Sequence, residues 1–134
     1  MPAMQGLHLT ADLQGCSTER PVMTDPSALR QLCLAAVQAA GLLAVGELFH
    51  RFAAPTGEPA GITGVVLLAE SHLAVHTWPE LGAVTLDVYV CNFGVDNSAK
   101  ADALLQWLLN GFAPQHTDVQ RLARGRALVS ASVS

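Results

Sequence analysis

From Val84 to Val90 every second residue is apolar, with Thr85, Asp87 and Tyr89 at the positions between. A period of two marks a strand that lays one face on a core. "SHLAVHTW" at 71–78 precedes it across the turn "PELG", so residues 71–91 read as a β-hairpin. "ITGVVLLAE" at 62–70 is apolar on both faces, like a central strand; "LLAVGELFHRFAA" at 42–54 supplies another strand ahead of the loop "APTGEPAG". "GLHLTADLQG" alternates from Leu7 to Leu13. A last strand is expected from about Thr117 to Val129, with "SASVS" a loose tail.

Two stretches change period. In "TDPSALRQLCLAAVQAAG", Leu29, Leu32, Cys33, Ala36, Val37 and Ala40 fall on one helical face, behind Asp25 as N-cap and Pro26 at the first helical position, with Gly41 as the stop. In "NSAKADALLQWLLNGF", Leu104, Leu105, Leu108 and Leu109 make an apolar stripe behind a cap at Asp96 or Asn97. The order strand, helix, strands, helix, strand, without repeated βαβ crossovers, implies an α+β fold. Its expected form is an antiparallel sheet with helices packed on one face, a two-layer sandwich.

Composition sharpens this picture. With 134 residues, 51% hydrophobic, the chain suits one domain, 1–134, around one core. A net charge of −4 offers no basic field for nucleic acid or anionic lipid. With 13% charged residues, some apolar surface is expected to be buried between subunits, which points to a homo-oligomer. The N-terminus lacks the pattern of a signal peptide and no stretch nears the ~20 apolar residues that span a bilayer, so a cytoplasmic protein is expected. Cys16, Cys33 and Cys91 are an odd set without CxxC spacing; any cysteine that matters acts alone.

The hairpin concentrates reactive side chains. His72 and His76 could share a metal with Glu70 or Glu80 on a helix, but on a strand residues four apart stand ~13 Å apart, so no metal site is expected. A serine hydrolase lacks its G-x-S-x-G elbow, and pyridoxal phosphate chemistry would have to use Lys100, the one lysine, near a helix start.

"ESH", "HTWPE" and a cysteine twenty residues after the serine, with "GLHLTADLQGC", "FHRF" and "GITGVV" in the same order, resemble the prokaryotic S-adenosylmethionine decarboxylases. These are self-processing enzymes that make their own pyruvoyl cofactor. The resemblance implies that Ser71 attacks the carbonyl of Glu70, and that elimination then separates residues 1–70 from residues 71–134. The second fragment is left capped by a pyruvoyl group, which forms a Schiff base with substrate. It further implies that His76 is the base for the elimination, that Thr63 supports processing where the family usually has serine, and that Cys91 returns a proton to the substrate. By the same likeness Phe52 stacks on adenine and Glu80 binds ribose.

Hairpin geometry bears on this independently. A turn centred on Glu80 and Leu81 pairs residues whose numbers sum to about 161, setting Ser71 opposite Val90 and beside Cys91. His76 then lies ~16 Å from Ser71 on the opposite face. His76, Thr63 and Glu80 are therefore expected to reach Ser71 and Cys91 of a second subunit in a symmetric dimer. His8 and His50 are assigned to structure, Trp78 and Trp107 to packing, and Asp12 and Glu47 to strand positions facing a pocket.

The chain departs from the family pattern at Leu81, at Val90 and Asn92 around the cysteine, at Leu7, and in a longer loop at 54–61. None of these touches Ser71, His76 or Cys91. The substrate is thus expected to be S-adenosylmethionine, in the service of spermidine synthesis, with L-arginine or L-ornithine as the alternative on the same scaffold. A non-catalytic paralogue acting as a binding partner is the third reading.

Overall fold

Alternation builds the sheet as expected: Leu9, Ala11 and Leu13, then Leu73 and Val75, then Val84, Leu86, Val88 and Val90 are all buried, while the residues between them are not. A computed structural model describes residues 5–125 except Pro59. It contains strands β1 (Gly6–Gln14), β2 (Ala44–Arg51), β3 (Ile62–Leu68), β4 (Ser71–Trp78), β5 (Ala83–Cys91) and β6 (His116–Arg124), with helices α1 (Pro26–Ala39) and α2 (Ser98–Phe112). The strands form one six-stranded sheet in the order β2-β3-β4-β5-β1-β6, and every neighbouring pair is antiparallel. β1 thus lies between β5 and β6, and α1 carries the chain to the far edge. The expected fold class holds. The last strand ends at Arg124, ahead of Gly125; the rest of the expected strand and the "SASVS" tail lie outside the described residues.

Local chemistry sets the helix ends. The Asp25 side chain accepts a hydrogen bond from the Ser27 N–H at 2.9 Å, and Pro26 opens α1 without losing a donor that the helix could use. At the other end Gly41 takes φ 79°, and the N–H groups of Gly41 and Leu42 close onto the carbonyls of Gln38 and Val37. That pairing satisfies carbonyls the helix leaves open, and the left-handed residue it needs is least strained as glycine. The cap of α2 is divided between the two candidates. Asn97 occupies the position, but the Asp96 carboxylate accepts from Ser98 N–H at 2.9 Å, while the Asn97 amide donates to the Cys91 carbonyl at 2.9 Å.

Both helices pack on the face carrying Leu9, Val66, Leu73 and Val88, in one core with Leu29, Cys33, Val37, Leu104, Leu108 and Phe112. No helix covers the opposite face among the described residues. It carries His8, Thr10, Thr63, Val65, His72, Ala74, His76, Thr85, Asp87, Tyr89 and Cys91, the set opposite in phase to the core. β3 corrects the expectation of a strand buried on both sides: its outward Leu67 is 50% exposed, beside Leu48 at 70%. Trp78 and Trp107, expected to pack, are 44% and 47% exposed. Glu47 faces α1, where it pairs with Arg30.

One buried hydroxyl ties the sheet to its surroundings. Thr77, 3% exposed, accepts from the Ile62 N–H at 3.0 Å and donates to the Met23 carbonyl at 2.9 Å. Replacing it with valine keeps the shape and leaves a buried donor and acceptor unpaired. Thr77→Val is expected to lower unfolding free energy by about 1–3 kcal/mol in urea titrations, and Thr77→Ser to recover much of that loss.

Candidate active site

β3 and β4 are joined by only two residues, Ala69 and Glu70, because Leu68 pairs with Ser71. Glu70 takes φ 56°, a left-handed backbone that costs a residue with a side chain about 1–2 kcal/mol. The strain sits in the residue whose carbonyl precedes Ser71. His72 pairs with Tyr89 and Trp78 with Ala83, the register expected from the turn; one more step sets Ser71 opposite Val90. Ser71 Oγ accepts the Cys91 N–H at 3.1 Å, so the hydroxyl is held beside the cysteine with its proton free to leave. A cleft of about 340 Å³ opens there, lined by Glu70, Ser71, His72, Tyr89 and Arg124.

A second group gathers at the other end of β4. Thr63 and His76 are register partners, and Thr63 Oγ1 lies 2.9 Å from His76 Nδ1, which fixes the ring and leaves Nε2 open. A cavity of about 170 Å³ is lined by Phe52, Thr63, His76, Trp78 and Glu80. The seven residues singled out from sequence therefore fall into two sets, Glu70, Ser71 and Cys91 at one end and Phe52, Thr63, His76 and Glu80 at the other. The strand between them is an unbroken ladder on both edges, so five residues of β4 separate Ser71 from His76 by ~16 Å.

Electrostatics distinguishes the thiols and the histidines. Burial pushes the Cys33 thiol up to about 12 and raises Cys16 as well, so neither is a nucleophile near neutral pH. Cys91 is half-buried. His72 is held below its ordinary value, first by burial and then by His8 and Arg124, against an opposing pull from Asp87.

Sequence reasoning did not find Trp78, Tyr89 or Arg124 as lining residues. The first two could have been placed by hairpin phase. Arg124 could not, because β6 reaches the site through β1, a pairing no local pattern encodes. His8, assigned to structure, stands at this end of the same face, 3.4 Å from Asp87 through Nε2.

The model of the S-adenosylmethionine decarboxylase family matches residues 7–125. An S-adenosylmethionine decarboxylase proenzyme of Pyrococcus furiosus is 35% identical over 120 residues, 90% of this chain and 78% of that one. The proenzyme of Aquifex aeolicus is 37% identical over 120 residues, 90% and 81% of the two chains. The crystal structure of the adenosylmethionine decarboxylase from Aquifex aeolicus superposes with a TM-score of 0.79 at 34% identity, covering 92% of this chain and 93% of that one. A Trypanosoma brucei monomer shares the fold, with a TM-score of 0.54 at 13% identity over 44% of its length.

The lowered His72 value has a consequence for stability. The folded state resists protonating a group that the unfolded chain protonates near 6.5, so full stability holds above that value and is lost as pH falls through the lower, folded one. Unfolding titrations at about pH 7.5 and 5.5 should show a smaller drop for His72→Gln than for the parent chain.

Proposed function

The chain belongs to the S-adenosylmethionine decarboxylase family, and on that premise we propose that it is a cytoplasmic, self-processing decarboxylase of S-adenosylmethionine with active sites shared across a homodimer. Its product supplies aminopropyl groups for spermidine synthesis. The family's proenzymes cut themselves and carry a pyruvoyl group. The observation that carries the assignment here is Ser71: its hydroxyl is held by the Cys91 N–H directly after a strained Glu70, at the mouth of a cleft. That is the setting in which a pyruvoyl group can be made from the serine and then reached by substrate.

Processing starts when Ser71 Oγ attacks the Glu70 carbonyl carbon and displaces the Ser71 nitrogen, turning the amide into an ester. Leaving the left-handed geometry at Glu70 favours this step. A base then takes the Ser71 α-proton and the Cβ–Oγ bond breaks. The resulting dehydroalanine hydrolyses with loss of ammonia, leaving chains 1–70 and 71–134. His76 is the base in this reading, its ring fixed through Nδ1 by Thr63. Because β4 holds His76 away from its own Ser71, the base comes from the partner subunit. A two-fold axis crossing β4 near Ala74, a small side chain midway between His72 and His76, would set each Ser71 end against the partner's His76 end. The uncovered sheet face, with Val65, Leu67 and Leu48, supplies apolar contact area for that pairing.

When present, the pyruvoyl ketone acts as an electron sink for the pair left as carbon dioxide departs. Cys91, beside position 71, returns a proton to the substrate α-carbon in this reading. Phe52, 51% exposed and edge-on to His50, presents a face on which adenine can stack, and Glu80 in the same cavity can accept hydrogen bonds from ribose hydroxyls.

Intact-mass spectra of the parent chain should show two fragments divided before residue 71, and Ser71→Ala should remain one chain. His76→Ala should slow cutting by about 10²–10⁴-fold. When Ser71→Ala and His76→Ala chains are refolded together, roughly half of the His76→Ala chains should be cut, those paired with a Ser71→Ala partner. Absence of cutting in the mixture would refute the shared site. In carbon dioxide release assays the parent enzyme should turn over S-adenosylmethionine; turnover of arginine or ornithine in its place would refute the substrate, and an uncut parent chain would indicate the binding-partner reading.

A further inference from the structure

We propose that Arg124 is the anchor for the carboxylate that self-cleavage creates at Glu70, holding the new chain end away from the reactive carbonyl at position 71. This rests on the processing reaction proposed above. On the uncovered face, at the Ser71 end of β4, aromatic side chains form a row across the sheet. His72 stacks on Tyr89 with ring centroids 5.7 Å apart and planes 29° apart. The Tyr89 ring then crosses β1 over Gly6, where a Cβ would meet the tyrosine hydroxyl at 2.6 Å. Only glycine leaves room for that crossing. The Arg124 guanidinium sits over the same ring, 5.9 Å from its centroid, having come from β6 on the far side of β1.

The guanidinium is held in place from below. Its Nη1 donates to His8 Nδ1 at 3.1 Å, which makes Nδ1 an acceptor and puts the His8 proton on Nε2. Nε2 is buried without a hydrogen-bond partner and lies 3.4 Å from Asp87 Oδ1. Asp87 thereby favours the tautomer that accepts from Arg124. The other ion pairs of the sheet and helices are made by Arg30 with Glu47 and by Arg121 with Asp102. Among the described residues Arg124 has no carboxylate partner, and it lines the cleft that holds Glu70 and Ser71. A guanidinium positioned by a histidine and a tyrosine, with donors left over, fits a carboxylate guest.

Cleavage supplies one. When the Ser71 Cβ–Oγ bond breaks, the oxygen and its electron pair leave with the Glu70 carbonyl, so a full negative charge appears where an uncharged peptide stood. The substrate's own carboxylate is the poorer guest. A guanidinium bound to it would stabilise the ground state against loss as carbon dioxide, the opposite of what the reaction needs. The Glu70 end, freed from its left-handed backbone by the cut, can turn to Arg124 and vacate the ketone.

Thermal unfolding of Arg124→Gln in two backgrounds tests this. In the cut enzyme the midpoint should fall by about 2–8 °C, and in the uncut Ser71→Ala chain it should change little. Equal shifts in both backgrounds would overturn the anchor. A second measurement needs no variant: with carbonyl-¹³C-labelled glutamate, the terminal carboxyl of Glu70 in the cut parent enzyme should titrate at least about one pH unit below the ordinary α-carboxyl value. An ordinary value would overturn the anchor even if Arg124→Gln failed to fold. A parent chain that stays uncut would refute the processing reaction and the anchor together, whereas a cut chain with an ordinary titration would refute the anchor alone.

Discussion

A β-strand is stiff, and β4 works as a ruler. His72 to His76, paired on both edges, leave no freedom to fold Ser71 back toward His76, so the spacing of two reactive groups is set by the rise of the backbone and their faces by its pleat. Chemistry that needs both must bring in a second molecule. The sheet's uncovered face, the fixed Thr63–His76 pair and the Ser71–Cys91 contact all take their meaning from this separation. With the shared site proposed above, that distance would delay cutting until partners have met.

Much of the molecule could be read from its amino-acid order because the informative signals are local. Alternation gave the strands, Asp25, Pro26 and Gly41 gave α1 with both its ends, and a four-residue turn gave the register that sets Ser71 beside Cys91. The failures share a cause, which is that the sequence does not say which strands neighbour one another. β3 reads as a strand covered on both sides because Val65 and Leu67 are apolar, yet one chain covers only one of its faces. Trp78 and Trp107 look like packing residues for the same reason. Glu47 and Arg30 find each other through a helix crossing the sheet, and Arg124 reaches the cleft only because β1 inserts ahead of β6.

The apolar patch of Leu48, Val65 and Leu67 and a concentration of histidines share one uncovered face. A surface buried against a copy of itself, as proposed above, would hold His8, His72, His76, Asp87 and Tyr89 in a place that becomes dry, where charges and hydrogen bonds act more strongly than in water. In the separate chain the same residues are partly wetted, and His72 already shows the effect of burial on its proton affinity. Docking would extend that effect across the whole row.

The position of β1 has a consequence for the life history of the enzyme. β1 is sewn between β5 and β6, two strands that lie on the other side of the proposed cut. With the cut proposed at 70–71, neither piece would retain a complete sheet, so an unravelled molecule would have lost the tether that guided its assembly. On that reading heat or denaturant would retire the cut protein for good, and new activity would have to come from fresh translation.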